Sequence, residues 1–370
     1  MGTTHDMGSG PMVAPIRYGV VGTGMMGVEH LRNLAITPGA EVVAVADPTP
    51  TSVGWAKSVV GENVRTSDTV EALIRDAQVD AVVVASPNHT HRAVLEPLFD
   101  AGVAILCEKP LATNVADARW IVERAAAHAK PFWTGMEYRY MPPAAEFIRE
   151  IHGGRVGRLR MLSIREHRFP FLPKVGDWNR FSRNTGGTMV EKCCHFFDLM
   201  RLITRAEPVR VHCSGAMDVN HLDELYGGER PDIIDNSFTT VDFDNGVRAM
   251  LDLSMFAEGA EHQEEITATG DRARLDVLIP PGDIVYSPRV PLGAPKQVER
   301  AHVPVDPAAM AAGSHHGATF YQHQAFAAAV RGEAPVAVTA RDGLLAVAIG
   351  AAAELSAREK RVVEMAEVLP

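Results

Sequence analysis

Ile16-Arg17-Tyr18-Gly19-Val20-Val21-Gly22-Thr23-Gly24-Met25-Met26-Gly27 decides the fold. A short apolar strand runs directly into a Gly-x-Gly-x-x-Gly turn, and the turn opens a helical stretch over 25–35. Three glycines alone are a weak signal. Set between a strand and a helix, they are the turn that cradles a dinucleotide. Gly22 permits the tight bend, Gly24 lets the backbone approach a pyrophosphate, and Gly27 lets the helix pack close to the strand. The N-terminus of that helix, at Met25 and Met26, then faces the phosphates. The second strand, 41–46, ends at Asp47, and 47 − 27 places this carboxylate 20 residues past the third glycine. That is the place for an acceptor of hydrogen bonds from an adenosine ribose diol. A carboxylate there repels a 2′-phosphate, and Pro48-Thr49-Pro50 offers no Arg or Lys to hold one. NAD is therefore expected in preference to NADP.

Outward from this turn, strands and helices alternate. Strands are expected at 81–85, 103–107 and 131–134, and helices at 51–60, 69–76, 91–101 and 115–128. The strands are apolar on both faces, as in a parallel sheet covered on both sides. Right-handed crossovers give a doubly wound Rossmann domain over 16–138. After about residue 141 the texture changes. Strand candidates at 160–167, 209–214, 238–243, 247–254, 265–268 and 274–277 alternate apolar and polar residues, so each buries one face. Helices are expected at 144–151, 188–203, 323–330 and 342–358. Residues 139–370 thus read as an α+β domain on a large, mostly antiparallel open sheet, serving substrate binding and oligomerisation. Segments 217–234 and 279–318 read as long loops, and 1–15 as a disordered tail.

Composition bounds the function. The chain has 370 residues, 46% hydrophobic and 22% charged, enough for two packed domains. Its net charge of −10 argues against non-specific nucleic-acid binding, which needs clustered cations. No apolar run reaches the length of a membrane span. The first 15 residues have no apolar core, so no export signal is expected there. Cys107, Cys193, Cys194 and Cys213 form no Cys-x-x-Cys pair and are expected as buried, reduced thiols in a cytoplasmic protein.

Two polar motifs end the fourth and fifth strands: Ser86-Pro87-Asn88-His89-Thr90-His91 and Glu108-Lys109-Pro110. In a doubly wound sheet, ligands bind outside the carboxyl ends of the strands, where both motifs fall. A lysine there can donate to an alkoxide or carbonyl oxygen, and a cis Lys–Pro bond would aim it. Ser86, Asn88, His91, Glu108 and Lys109 are accordingly expected around the cofactor.

Taken in order, these motifs resemble those of the glucose-fructose oxidoreductase, inositol dehydrogenase and rhizopine-catabolism family. The resemblance continues in Arg139-Tyr140-Met141-Pro142, in Gly186-Gly187-Thr188-Met189-Val190-Glu191-Lys192-Cys193-Cys194-His195-Phe196-Phe197-Asp198, and in Asp342-Gly343-Leu344 with the alanine-rich helix that follows. It covers nearly the whole chain from residue 16 and is specific for the family, not for a substrate.

Glu191 and His195 are four apart and would share a helix face, with Asp198 on the same side. A carboxylate one turn away would orient the imidazole and keep it titrating near neutral pH. The resemblance implies that His195 is the acid/base. The family carries Asp where this chain has Glu191, which leaves Glu191 to orient His195 or to bind a hydroxyl. Lys192 is either a second cation in the site or solvent-facing. Arg168 and Trp178 suit stacking and hydrogen bonding to a polyhydroxy ring, and His316 and Tyr321 fall in the family's substrate-contacting segment. His315, His316 and His323 cluster in sequence, but no carboxylate has matching spacing, so no metal site is expected. Glu137 stands where many relatives have Asn.

These readings combine into an NAD-dependent dehydrogenase acting on a secondary alcohol of a sugar, cyclitol or glycoside. Lys109 would stabilise the alkoxide and His195 would take the proton, in a homodimer or homotetramer. Two alternatives remain at this stage. Some relatives oxidise transiently with bound NAD to cleave or eliminate without net redox, and a non-catalytic nucleotide sensor could keep the fold, although Lys109 and His195 are both retained.

Overall fold

A computed structural model describes residues 14–369; the tail expected over 1–15 falls almost wholly outside the described residues. The chain begins with β1 (Ile16–Val21), α1 (Met25–Ile36), β2 (Ala40–Ala46), α2 (Pro50–Val60), β3 (Arg65–Ser67) and α3 (Val70–Asp76). It continues with β4 (Ala81–Val84), α4 (His91–Ala101), β5 (Ala104–Glu108), α5 (Val115–Ala127) and β6 (Phe132–Gly135). The six strands form one sheet in the order β3-β2-β1-β4-β5-β6, parallel throughout. Local chemistry sets the helix starts. Thr69 caps α3 by accepting from the Ala72 amide, Asn114 caps α5 by accepting from Asp117, and Pro50 opens α2. β4 is buried along its whole length, which is why its sequence is an unbroken Ala-Val-Val-Val. The strand order reverses between β1 and β4, and a crevice opens there at the carboxyl edge.

The second half adds α6 (Pro142–His152), β7 (Leu159–His167), α7 (Ser182–Thr185), α8 (Thr188–Glu191), α9 (Cys194–Thr204), β8 (Pro208–Ala216), β9 (Asn236–Phe243) and β10 (Arg248–Ser254). There follow β11 (Glu264–Gly270), β12 (Ala273–Ile279), β13 (Asp283–Pro288), β14 (Glu299–His302) and α10 (Pro307–Ala312). The chain ends with α11 (Ala318–Val330), α12 (Ala340–Glu359), β15 (Val363–Glu364) and α13 (Met365–Val368). Nine strands run in the order β14-β13-β12-β11-β7-β10-β9-β8-β15, antiparallel except for the central β7–β10 pair. Strand alternation puts Leu162, Ile164, Leu251, Leu253, Ile266 and Ala268 into the core with Phe196, Phe197 and Ala352 from the helices. The opposite face stays open, with Phe238 63% and Met161 58% exposed. α12 packs against both α5 and β8, so it ties the two sheets together.

Three expectations need correcting. The segment 279–318 is not one loop, for it holds β13, β14 and α10. β14 has no buried position to give a pattern, so nothing in the sequence marks it. The helix expected over 188–203 is broken into α8 and α9. The Cys193 amide bonds to the Thr188 carbonyl, one residue further back than α-helical pairing. α11 starts at Ala318, well before 323, because Gly317 at φ 76° turns the chain into it. All four cysteines are free and buried. Among the described residues no helix is long and apolar enough to cross a membrane.

Candidate active site

A cleft of about 900 Å³ lies over the β1–β4 switch. Its floor is the glycine turn. A Cβ on Gly27 would stand 2.0 Å from the Gly22 carbonyl oxygen, so only glycine lets α1 sit this close to β1. Gly22 has φ 85° and the Ser86 amide in the way of any Cβ, at 2.6 Å. Gly24 differs: a Cβ there would meet nothing within 4 Å, because the residue faces the open cleft. Gly24 is also the N-cap of α1, which carries no side-chain cap and no acidic residue in its first turn. Its first amides are free for an anion. Met25 and Met26 line the same wall.

Asp47 closes the next corner. Its Oδ2 accepts from the Thr23 amide at 2.7 Å and its Oδ1 from the Thr49 amide at 2.8 Å. The carboxylate is thus held rigid at the cleft edge by two loops. On the other side, Ser86 and Asn88 line the cleft, and among the described residues the buried Asn88 Nδ2 has no hydrogen-bond partner. An uncapped helix end, a glycine facing open space, a fixed carboxylate and an unpaired amide together fit a dinucleotide. His91 does not join them. It is buried, with Nδ1 3.0 Å from the Pro110 oxygen and Nε2 3.1 Å from the Ser86 oxygen, and so braces the two loops from behind. The cofactor contact expected for His91 is not seen in the cleft lining: each ring nitrogen faces a carbonyl oxygen, and the ring, kept neutral by burial, donates to one of the two.

Glu108 and Lys109 reach the cleft from the end of β5. The Lys109–Pro110 bond is cis, as the sequence reading anticipates. Burial alone would raise the Glu108 pKa, but His30 Nε2, 2.9 Å from its Oε1, holds it below the ordinary value. Lys109 Nζ donates to the Glu191 main-chain carbonyl at 3.3 Å, at the break between α8 and α9. The kink thus brings the Lys109 ammonium to the start of the His195 helix.

His195 is buried, its ring stacked on Tyr138 with centroids 3.9 Å apart. Nδ1 has no partner. Burial holds its pKa well below 6.5, and the nearby Lys109 and Lys192 cations depress it further, so the imidazole is neutral and able to accept a proton. This corrects the expected titration near neutrality. Asp198 does not support His195, because its carboxylate clasps Arg139 in a bidentate pair. Nor does the Glu191 carboxylate orient the imidazole: Oε1 pairs with Lys174 at 3.2 Å, and among the described residues Oε2 has no hydrogen-bond partner. The helix break has separated the two residues expected to share a face.

Lys192 is buried, not solvent-facing. Its Nζ donates to Tyr138 Oη at 2.7 Å and pairs with Glu166 Oε1 at 2.9 Å. Glu166 stands directly opposite Glu264 on β11, both turned inward. Burial first, and Glu166 second, push the Glu264 pKa up to about 8. Arg168 joins this group through Glu166 Oε1 at 3.3 Å, and His316 approaches Glu264 at 3.9 Å. Among the described residues Glu166 Oε2, Glu264 Oε2 and Arg168 Nε are buried without a hydrogen-bond partner. Such orphaned donors and acceptors beside His195 suit a ligand carrying several hydroxyls. Trp178 instead lines the dinucleotide cleft, with Lys174 Nζ 4.6 Å over its ring. Tyr321 turns toward Phe320, and among the described residues no hydrogen bond, ion pair or ring contact ties it to this cluster.

Sequence reasoning missed Glu166, Glu264 and Lys174. A carboxylate at an inward position of an alternating strand was the available signal for the first two. It also missed carboxylate partners for the histidines, because the fold brings Glu29 and Glu137 to His315 from distant segments.

Residues 16–136 match the family described as "Oxidoreductase family, NAD-binding Rossmann fold", and 148–365 match "Oxidoreductase family, C-terminal alpha/beta domain". The chain is 27% identical over 367 residues to an inositol 2-dehydrogenase of Rhizobium meliloti, covering 95% of this chain and 99% of the relative. It is 42% identical over 207 residues to inositol 2-dehydrogenase 1 of Saccharopolyspora erythraea, covering 53% and 56%. The scyllo-inositol dehydrogenase of Lactobacillus casei, solved with NAD(H) and scyllo-inositol, shares the fold with a TM-score of 0.76 at 21% identity, covering 95% and 99%.

Proposed function

This chain belongs to the Gfo/Idh/MocA oxidoreductase family, and from that premise we propose that it is an NAD-dependent dehydrogenase acting on a secondary alcohol of a sugar, cyclitol or glycoside. One observation carries the reading. At the mouth of the dinucleotide cleft, the Lys109 ammonium sits on the Glu191 carbonyl beside a buried, neutral and unpartnered His195. Residues 16–138 hold the cofactor and 139–370 the substrate. Gly22, Gly24, Met25, Met26 and the α1 amides take the pyrophosphate, Asp47 the ribose diol, and Ser86 and Asn88 the region beyond. When bound, NAD supplies the hydride acceptor.

The protein's own groups do the rest. His195 accepts the hydroxyl proton, for which its depressed pKa keeps it deprotonated. Lys109 stabilises the oxyanion that develops, in a site from which water is largely excluded and where the attraction between the two charges is stronger than in water. Glu191 Oε2, Glu166, Glu264 and Arg168 pair with neighbouring hydroxyls, and a hydroxyl-poor analogue would leave those groups unsatisfied. The open face of the nine-stranded sheet, with Phe238 and Met161 exposed, fits a second copy of the chain. The test is cofactor reduction with NAD and with NADP over inositols, aldoses, glycosides and sugar acids. A substrate that reduces NAD in preference to NADP supports the reading. Tight NAD binding with silence across the panel would favour redox-neutral use of the cofactor, and no NAD binding would end the proposal.

A further inference from the structure

Behind Tyr138, three side chains from separate parts of the chain converge. Glu29 comes from the second turn of α1, Glu137 from the 3-10 turn after β6, and His315 from the loop before α11. One donor atom from each lies within 4.8 Å of the other two. His315 Nδ1 is 2.7 Å from Glu29 Oε1 and 3.7 Å from Glu137 Oε1. Two hydroxyls complete the ring: Ser314 Oγ, 3.1 Å from Glu29 Oε2, and Thr319 Oγ1, 3.1 Å from Glu29 Oε1 and also bonded to Glu137. The chain is shaped around the Glu29 carboxylate, since a Cβ on Gly313 would stand 2.4 Å from its Oε1.

Glu137 provides an independent sign of a missing partner. Its side chain is fully buried and, among the described residues, its Oε1, on the His315 side, accepts no hydrogen bond. A buried carboxylate oxygen left unpaired is costly, and a second carboxylate close by makes it more so. We propose that Glu29, Glu137 and His315 form a binding site for a first-row divalent cation of the zinc type, with a water or one of the Ser314 and Thr319 hydroxyls filling the fourth position. The donor chemistry fits, because two carboxylates and one imidazole suit zinc or manganese better than calcium or magnesium alone. The geometry fits too. Tetrahedral ligands at zinc distances stand about 3.3 Å apart, inside the 2.7 to 4.8 Å span of these atoms. Two carboxylates and a neutral imidazole match a divalent ion. Against burial, which lowers it, Glu137 and Glu29 raise the His315 pKa to about 9, so the ring releases its Nδ1 proton as the ion binds, and its side chain, 23% exposed, leaves an entry path. The ion would pin α1 to the 137 turn and to the loop before α11, locking the glycine-turn helix against the half of the chain that carries the substrate groups.

The test uses the full chain, freed of metal by a chelator. Zn²⁺ binding is measured by calorimetry and elemental analysis, Co²⁺ by its visible d–d absorption, and the thermal midpoint is followed with and without each ion. The proposal expects one cation per chain, a tetrahedral-type Co²⁺ spectrum, and a midpoint that rises with the ion and falls back with EDTA. Glu137→Gln and His315→Asn should each weaken binding by about tenfold or more, since each removes a ligand. His315 lies in a partly exposed loop, so its variant reports even if Glu137→Gln fails to fold. Absence of stoichiometric binding to the wild-type chain, or affinity unchanged in the folded variants, would overturn the proposal.

Discussion

Replacing Asp47 by Asn separates the two jobs this carboxylate is given. One is structural: its two oxygens hold the Thr23 and Thr49 amides at 2.7 and 2.8 Å. Asn keeps one oxygen and puts an NH₂ where the other stood, so one of these amides loses its acceptor. The Thr23 amide belongs to a fully buried residue, and an unsatisfied buried donor costs about 1–3 kcal/mol, charged to the turn that holds the pyrophosphate. NAD affinity should therefore fall about tenfold. The other job is electrostatic. A 2′-phosphate near this carboxylate would repel it by a few kcal/mol, about 3 or more at an effective dielectric of roughly 20–40 and 5 Å separation. Asn removes that term, so NADP should gain while NAD loses, and the preference for NAD should shrink by about a hundredfold. Dissociation constants for both cofactors, read by quenching of protein fluorescence, give the ratio directly. A variant whose NAD-to-NADP preference stays within about threefold of the parent would refute the assignment of Asp47.

Other outcomes follow from the same structure. Gly24→Ala should leave the fold intact, since its Cβ meets nothing, yet weaken NAD binding by filling the space for the pyrophosphate; Gly27→Ala, 2.0 Å from the Gly22 oxygen, should lower the thermal midpoint as well. His195 is held well below 6.5 by burial, so the acid limb of kcat/KM attributable to it should lie below that pH; an acid limb above 7 would contradict its neutral state. Glu354 takes the Met189 amide at 2.9 Å and is raised by burial from 4.5 to about 7. A carboxyl whose folded pKa is raised contributes fully below about 4.5 and loses that contribution as pH rises through 7. The penalty above pH 7 is about 1–3 kcal/mol once the partial exposure of the side chain is allowed for. Glu354→Gln keeps the acceptor and should raise the thermal midpoint at pH 8 but not at pH 4; equal shifts at both pH values would count against the burial argument.

The sequence was legible where the physics is local. The glycine turn, Asp47 and Glu108-Lys109-Pro110 are short motifs at strand ends, and strand ends are marked by apolar runs that stop. β4 through β6 and their helices were readable for the same reason. The open sheet was readable as alternation, but β14 was not, because an edge strand with no buried residue has no pattern. The site's second layer was hidden by distance along the chain. Asp198 meets Arg139 and not its helical neighbour His195, a choice made by tertiary packing. Glu29 and His315 are 286 residues apart, and only the folded chain brings them together. The α8–α9 break was equally invisible. No breaker residue occupies Lys192 or Cys193, yet the break delivers the Glu191 carbonyl to Lys109.

The central claim is that Lys109 and His195 perform the chemistry while the glycine turn and Asp47 hold the cofactor. Its most direct test pairs two numbers for Lys109→Ala and His195→Ala: turnover in NAD reduction with a polyol substrate, and NAD affinity of the same preparations. Each variant should lose most of its turnover while binding NAD within severalfold of the parent. Near-normal turnover in either variant would contradict the account.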